Sequence, residues 1–169
     1  MTTQLFTKDQ EIHQKWMSHA LTLAQKAEDI GEVPVGAVLV KDNQIVAEGW
    51  NQSIALHDPS AHAEMIAIRA AGKKLENYRI IDSTLYVTLE PCPMCAGLLV
   101  HSRINRLIFG AYDYKTGSAG SIFNLLNDPR LNHQVEIIGG VMESECANKI
   151  STFFKQRREA QKAARRQAD

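Results

Sequence analysis

Thr84-Leu85-Tyr86-Val87-Thr88-Leu89-Glu90-Pro91-Cys92-Pro93-Met94-Cys95-Ala96-Gly97-Leu98-Leu99-Val100-His101-Ser102-Arg103-Ile104-Asn105-Arg106-Leu107-Ile108-Phe109 reads as strand, helix, strand. Thr84–Leu89 is a short apolar run rich in residues that favour strands. A helix is predicted over Pro93–His101, since proline fits the first turn of a helix, where its missing N–H costs nothing. Arg106–Phe109 returns to strand.

Working outward, the same alternation continues. Upstream, Ala61–Ala71 is predicted as a helix, capped by Asp58 or Ser60 and stopped at Gly72. Before it, Val35–Val40 and Ile45–Trp50 form a hairpin around the turn Lys41–Gln44, and 51–59 is loop. Residues 7–30 carry Ile12, Trp16, Ala20, Leu23, Ala27 and Ile30 at helical spacing, with Thr7 and Gln10 as a capping box and Gly31 as the stop. Downstream come a glycine-containing loop over 110–120, a short helix over Ser121–Asn127 and a strand over Val135–Ile138. A long helix runs from Ser144 to about Arg166, with Cys146, Ile150, Phe153 and Phe154 on its apolar face. Beyond Phe154 the stripe ends, so the last turns are expected to leave the core. Strands alternating with helices imply a layered α/β fold.

A length of 169 residues fits one domain, 1–169, and 44% apolar residues fit a folded chain. No apolar run approaches the roughly 18 residues that span a bilayer. The first residues lack the basic start and apolar stretch of a secretory signal. Three cysteines, two of them in a C-x-x-C, do not make a disulfide framework, and a reducing cytoplasm is the expected location. The net charge is zero but uneven. Six cations of the tail, Lys155, Arg157, Arg158, Lys162, Arg165 and Arg166, face only Glu159 and Asp169, a net +4 against −4 in the other 154 residues. A basic tail suits an anionic partner such as RNA, and equally suits a solvated helix end.

The chemistry sits at two predicted helix starts. Cys92 and Cys95 are i, i+3, on one side of a helix whose first N–H groups stabilise thiolates. His62 and Glu64 can both look beyond the end of the earlier helix. His62, Cys92 and Cys95 give three zinc ligands, and Glu64 is a carboxylate left over. A catalytic zinc site has three protein ligands and an open position, whereas a structural one is closed by four. His57, His101 and Cys146 are the spare candidates for a fourth ligand, His57 the best placed. Alone, the C-x-x-C could be a redox pair or half a zinc knuckle. With zinc in place a bound water has a pKa near 7 instead of about 15.7, and Glu64 is the acid/base group such chemistry needs.

The pattern His62-Ala63-Glu64 with Pro91-Cys92-Pro93-Met94-Cys95 resembles the zinc nucleobase deaminases of the cytidine/deoxycytidylate deaminase superfamily. The segment 110–121, Gly110-Ala111-Tyr112-Asp113-Tyr114-Lys115-Thr116-Gly117-Ser118-Ala119-Gly120-Ser121, is similar to that of the tRNA adenosine deaminase family, and the resemblance covers roughly residues 10–160. It implies a three-layer α/β/α fold with a five-stranded mixed sheet, one zinc ion per subunit, a homodimer, and conversion of the wobble adenosine of a tRNA anticodon stem-loop to inosine. It also implies substrate-binding roles for Asn51 at the nucleoside and Asp113 at the RNA; Ala63 is expected in the same set, and the charge of the tail adds Arg157 and Arg158 at phosphates. Two other readings stay open. One is a deaminase of small bases or nucleosides such as guanine, cytosine or cytidine. The other is a zinc-stabilised RNA-binding module without catalysis, for which Glu64 has no use.

Overall fold

The computed structural model describes residues 2–168. In chain order the elements are α1 (Thr2–Asp29), β1 (Gly36–Lys41), β2 (Gln44–Trp50), α2 (Ala63–Leu75), β3 (Thr84–Leu89), α3 (Pro93–His101), β4 (Arg106–Ala111), β5 (Glu136–Ile138) and α4 (Glu143–Ala168). The strands form one sheet in the order β2-β1-β3-β4-β5. β1 runs antiparallel to both β2 and β3, while β3, β4 and β5 are parallel. β2, β3 and β4 therefore point the same way, and their C-terminal ends gather at one edge. That edge is where open α/β sheets place their ligands.

Period-two alternation sorts the core into two layers. Leu39, Leu85, Val87, Leu107 and Phe109 face one way and pack with Ala67 and Ile68 of α2 and Leu99 of α3. Val38, Val40, Tyr86 and Ile108 face the other way and pack with Trp16, Met17, Ala20 and Leu23 of α1 and Cys146 of α4. Helices thus cover both faces of a five-stranded mixed sheet, as expected for the three-layer α/β/α architecture.

Several expectations are corrected. α1 begins by Thr2, so Thr7 lies inside the helix and does not mark its start. Ile30 lies past the helix end and is exposed. Neither Asp58 nor Ser60 caps α2: the Asp58 carboxylate instead accepts from the backbone N–H and hydroxyl of Ser60. α2 runs through Gly72 to Leu75, because Lys73, Lys74 and Leu75 are sound helix formers and the end is closed by the N–H groups of Glu76 and Asn77. Ser121–Asn127 is turn, not helix, since the N–H groups of Ile122, Phe123 and Leu125 return to the carbonyls of Gly117 and Ser118. Phe154 is exposed and Phe153 only half-buried, and from Lys155 onward α4 is exposed throughout.

One close approach fixes the site end of α2. A Cβ at Gly49 would lie 2.2 Å from the carbonyl oxygen of Ala63, so glycine alone lets β2 meet the first turn of the helix.

Candidate active site

His62 and Cys92 are the N-cap residues of α2 and α3, both in extended backbone, and neither side chain makes a capping hydrogen bond. They are turned toward each other instead. His62 Nδ1 lies 3.6 Å from Cys92 Sγ and 3.6 Å from Cys95 Sγ. Tetrahedral bonds of about 2.3 Å to sulfur and 2.05 Å to nitrogen set such donors about 3.6 Å apart. The ligand atoms of His62, Cys92 and Cys95 all fall within 4.8 Å of one another, and no other group of three or more His, Cys, Asp or Glu converges this way among the described residues. Two thiols and an imidazole are a donor set that suits zinc. His57 and His101 are exposed, and Cys146 is buried in the core under α4. None of the three closes the site.

Before any metal binds, the thiols divide the work unequally. The hydrogen bond from Cys95, and after it the contact with His62, holds the Cys92 thiol down at about 4. Cys95, donating that bond and fully buried, is pushed far up. The bond with Cys92 raises His62. Glu64 sits in the first turn of α2, 4% exposed, and burial pushes its carboxyl up to about 7. A group poised near neutrality can both take and return a proton.

Asn51, His62, Glu64, Cys92 and Asp113 line one cavity of about 200 Å³, whose apolar wall is Val33, Val35 and Leu89. Asn51 Oδ1 accepts the N–H of Ala63 at 2.8 Å, the first orphan donor of α2. Ala63 is itself fully buried in the core. The Asp113 carboxylate accepts from the N–H groups of Lys115 and Thr116 and from the Thr116 hydroxyl. Arg157 and Arg158 lie outside the cavity, exposed on α4, with the Arg157 guanidinium 5.9 Å from the centre of the Phe153 ring.

Two buried carboxylates escaped the sequence reading. Glu90, 2% exposed, lines the same cavity and takes four hydrogen bonds from the loop after β4. The N–H groups of Ala119 and Ser121 donate to one oxygen, and the Asp113 N–H and the Ser121 hydroxyl donate to the other. A Cβ at Gly117 would come 2.5 Å from this carboxylate, so the loop closes around it only with glycine there. Glu32, 3% exposed, accepts the N–H groups of Ile54 and Ala55 and so shapes the loop after β2. The available signal was the cost of burial: a Glu next to an apolar segment is expensive unless many donors meet it.

The cytidine and deoxycytidylate deaminase zinc-binding region matches residues 10–111, most of the chain. Fold and site therefore define a zinc-dependent deaminase, and the chain belongs to this family. Within the family it groups with the tRNA-specific adenosine deaminases. It is 58% identical over 153 residues to the protein of that name from Haemophilus influenzae, covering 90% of this chain and 88% of that protein. The tRNA-specific adenosine deaminase of Bacillus subtilis is 48% identical over 151 residues, covering 89% and 94%. A solved structure from work on A-to-I editing by tRNA:A34 deaminases at the wobble position superposes with a TM-score of 0.77 at 41% identity, over 80% of this chain and 98% of that one. No helix among the described residues is long and apolar enough to cross a membrane.

Proposed function

We propose that the chain hydrolyses the exocyclic amine of adenosine at the wobble position of a tRNA anticodon loop, giving inosine and ammonia. The observation that carries this reading is a buried Glu64 beside a three-ligand cluster with no fourth ligand among the described residues. His62, Cys92 and Cys95 hold one zinc ion per subunit, and the ion supplies the Lewis acidity that makes water a nucleophile near neutral pH. Glu64 takes one proton from the attacking water and delivers it to the adenine ring nitrogen, then takes the second from the new C6 hydroxyl and gives it to the departing amine. Oxygen from water replaces nitrogen at C6 as that C–N bond breaks. Asn51, its oxygen held by the Ala63 N–H, keeps its amide N–H groups as donors for the nucleoside. Ala63 supports the reaction through that backbone contact. Asp113 lines the cavity on a braced loop, and Arg157 and Arg158 meet flanking phosphates.

The chain is read as one deaminase domain with a basic C-terminal helix, acting in the cytoplasm with tRNA as its partner. A homodimer fits the exposed apolar residues Ile54 and Leu56 on the loop after β2 and Met94 in the first turn of α3. The test is incubation with an anticodon stem-loop carrying adenosine at the wobble position. Inosine is the expected product, with zinc retained in the wild type and lost in Cys92→Ala. Turnover of free guanine, cytosine or cytidine with an inert stem-loop would select the small-molecule reading instead.

A further inference from the structure

We infer that Tyr112 and Tyr114 form a stacking platform for an unpaired nucleobase adjacent to the one that enters the cavity. The inference rests on the RNA reading above and adds a binding site to it. Tyr114 is 73% exposed, and its ring lies nearly parallel to that of Tyr112, at 18° and 6.3 Å between centres. Tyr112 is anchored from below. It meets Phe109, a buried residue of β4, edge-on at 5.0 Å and packs against the Gly139–Gly140 turn. The outer ring is therefore presented on a fixed support, and the backbone beneath it is held by Glu90 through the N–H groups of residues 113, 119 and 121.

Position and charge point to a nucleic-acid base. Tyr112 and Tyr114 flank Asp113, and Asp113 and Thr116 line the cavity. Successive Cα atoms are about 3.8 Å apart, so the Cα atoms of both tyrosines lie next to that of the cavity-lining Asp113. Exposed Lys115 adjoins the platform as a partner for phosphate. The only carboxylate of segment 112–121, Asp113, already accepts three bonds from its own loop. A base that leaves its stack to reach the cavity uncovers the faces of its neighbours. An aromatic ring re-covers such a face whatever the base, because every base has a π face.

The test uses the full-length zinc-loaded protein and fluorescent anticodon stem-loops: one intact, one abasic just 5′ of the target and one abasic just 3′. Tyr114→Ala should raise Kd for the intact RNA by about fivefold to 150-fold, the worth of stacking one base. Tyr114→Phe should bind as the wild type does. The salt slope should not change in either variant, since no phosphate contact is removed. Removing one flanking base should weaken the wild type by a similar factor and leave Tyr114→Ala unaffected. Wild-type affinity in Tyr114→Ala, failure of Tyr114→Phe to restore binding, a changed salt slope, or abasic losses that persist undiminished in Tyr114→Ala would each overturn the inference. Failure of the RNA reading looks different: wild-type protein would then neither bind nor deaminate the intact stem-loop.

Discussion

Glu64 and Glu90 line the same cavity, and both are almost completely buried, yet they are treated in opposite ways. Glu90 receives four hydrogen bonds from one loop. Among the described residues Glu64 draws on the Cys95 thiol and its own backbone N–H, and burial pushes its carboxyl up to about 7. A carboxylate met by four donors serves as a bracket for the loop. A carboxylate left short of donors stays ready to exchange a proton. The difference lies in the surroundings, because the side chains are identical.

The largest expected effect breaks the proton-transfer half of this comparison. Glu64→Gln keeps the shape of the side chain but cannot take a proton. Deamination of the stem-loop should fall by about 10² to 10⁴, with zinc content unchanged and thermal stability no lower. Activity within about tenfold of wild type would show that Glu64 is not the proton carrier.

Glu90→Gln probes the other half. An amide places its NH₂ against N–H or O–H donors at one end, so about two of the four bonds are lost. Leaving buried donors unpaired costs about 1–3 kcal/mol. Thermal melts should show this loss, and steady-state kinetics should show a raised KM for RNA with zinc retained. An unchanged melting point together with an unchanged KM would mean the loop holds its shape without the bracket.

Outside the cavity, Arg157 and Arg158 act at a distance from both carboxylates. Replacing both with Ala should weaken RNA binding several-fold and flatten its dependence on salt, because fewer counterions are released. Titrations at two salt concentrations check this, and an unchanged slope would reduce this stretch of α4 to a solvated face.

The smallest effect comes from the other face of the sheet, under α1. His13 Nδ1 and the Tyr86 hydroxyl share a hydrogen bond at 2.9 Å, and burial, with Arg106 nearby, lowers the His13 pKa. The unfolded chain therefore binds this proton more readily than the folded one does. The His13 contribution is complete above the ordinary value of 6.5 and is lost as pH falls through that value toward the lower folded one. Urea titrations of wild type and His13→Gln across this range should show a shallower acid-side decline in the variant.

The cluster of His62, Cys92 and Cys95 was legible because a few residues at fixed spacing, each at a helix start, carry nearly all the information. The layered fold was legible from short apolar runs alternating with stretches of helical period. Glu90 was not legible, because its meaning lies in donors 23 to 31 positions downstream that only the folded loop brings to it. The same contacts explain the missing helix at Ser121–Asn127. Its local pattern is helical, but Ser121 is committed to Glu90 and Leu126 is drawn into the core. The start of α1 was misplaced because a capping signature can occur inside a helix as readily as at its end. Asn51 was singled out as a nucleoside contact, and its bond to the first N–H of α2 emerged only when the loop and the helix were seen together.

The bracket at Glu90 has a consequence for how this protein can diversify. Three of its four bonds go to backbone N–H groups, which every residue except proline carries. The path of the loop is therefore insulated from the identity of side chains such as Tyr114, Lys115 and Ile122. Lineages, or libraries, can rewrite those positions to suit a new nucleic-acid context while the architecture around the reacting base stays put. The freedom ends at Gly117 and Glu90, where size and charge are dictated by each other.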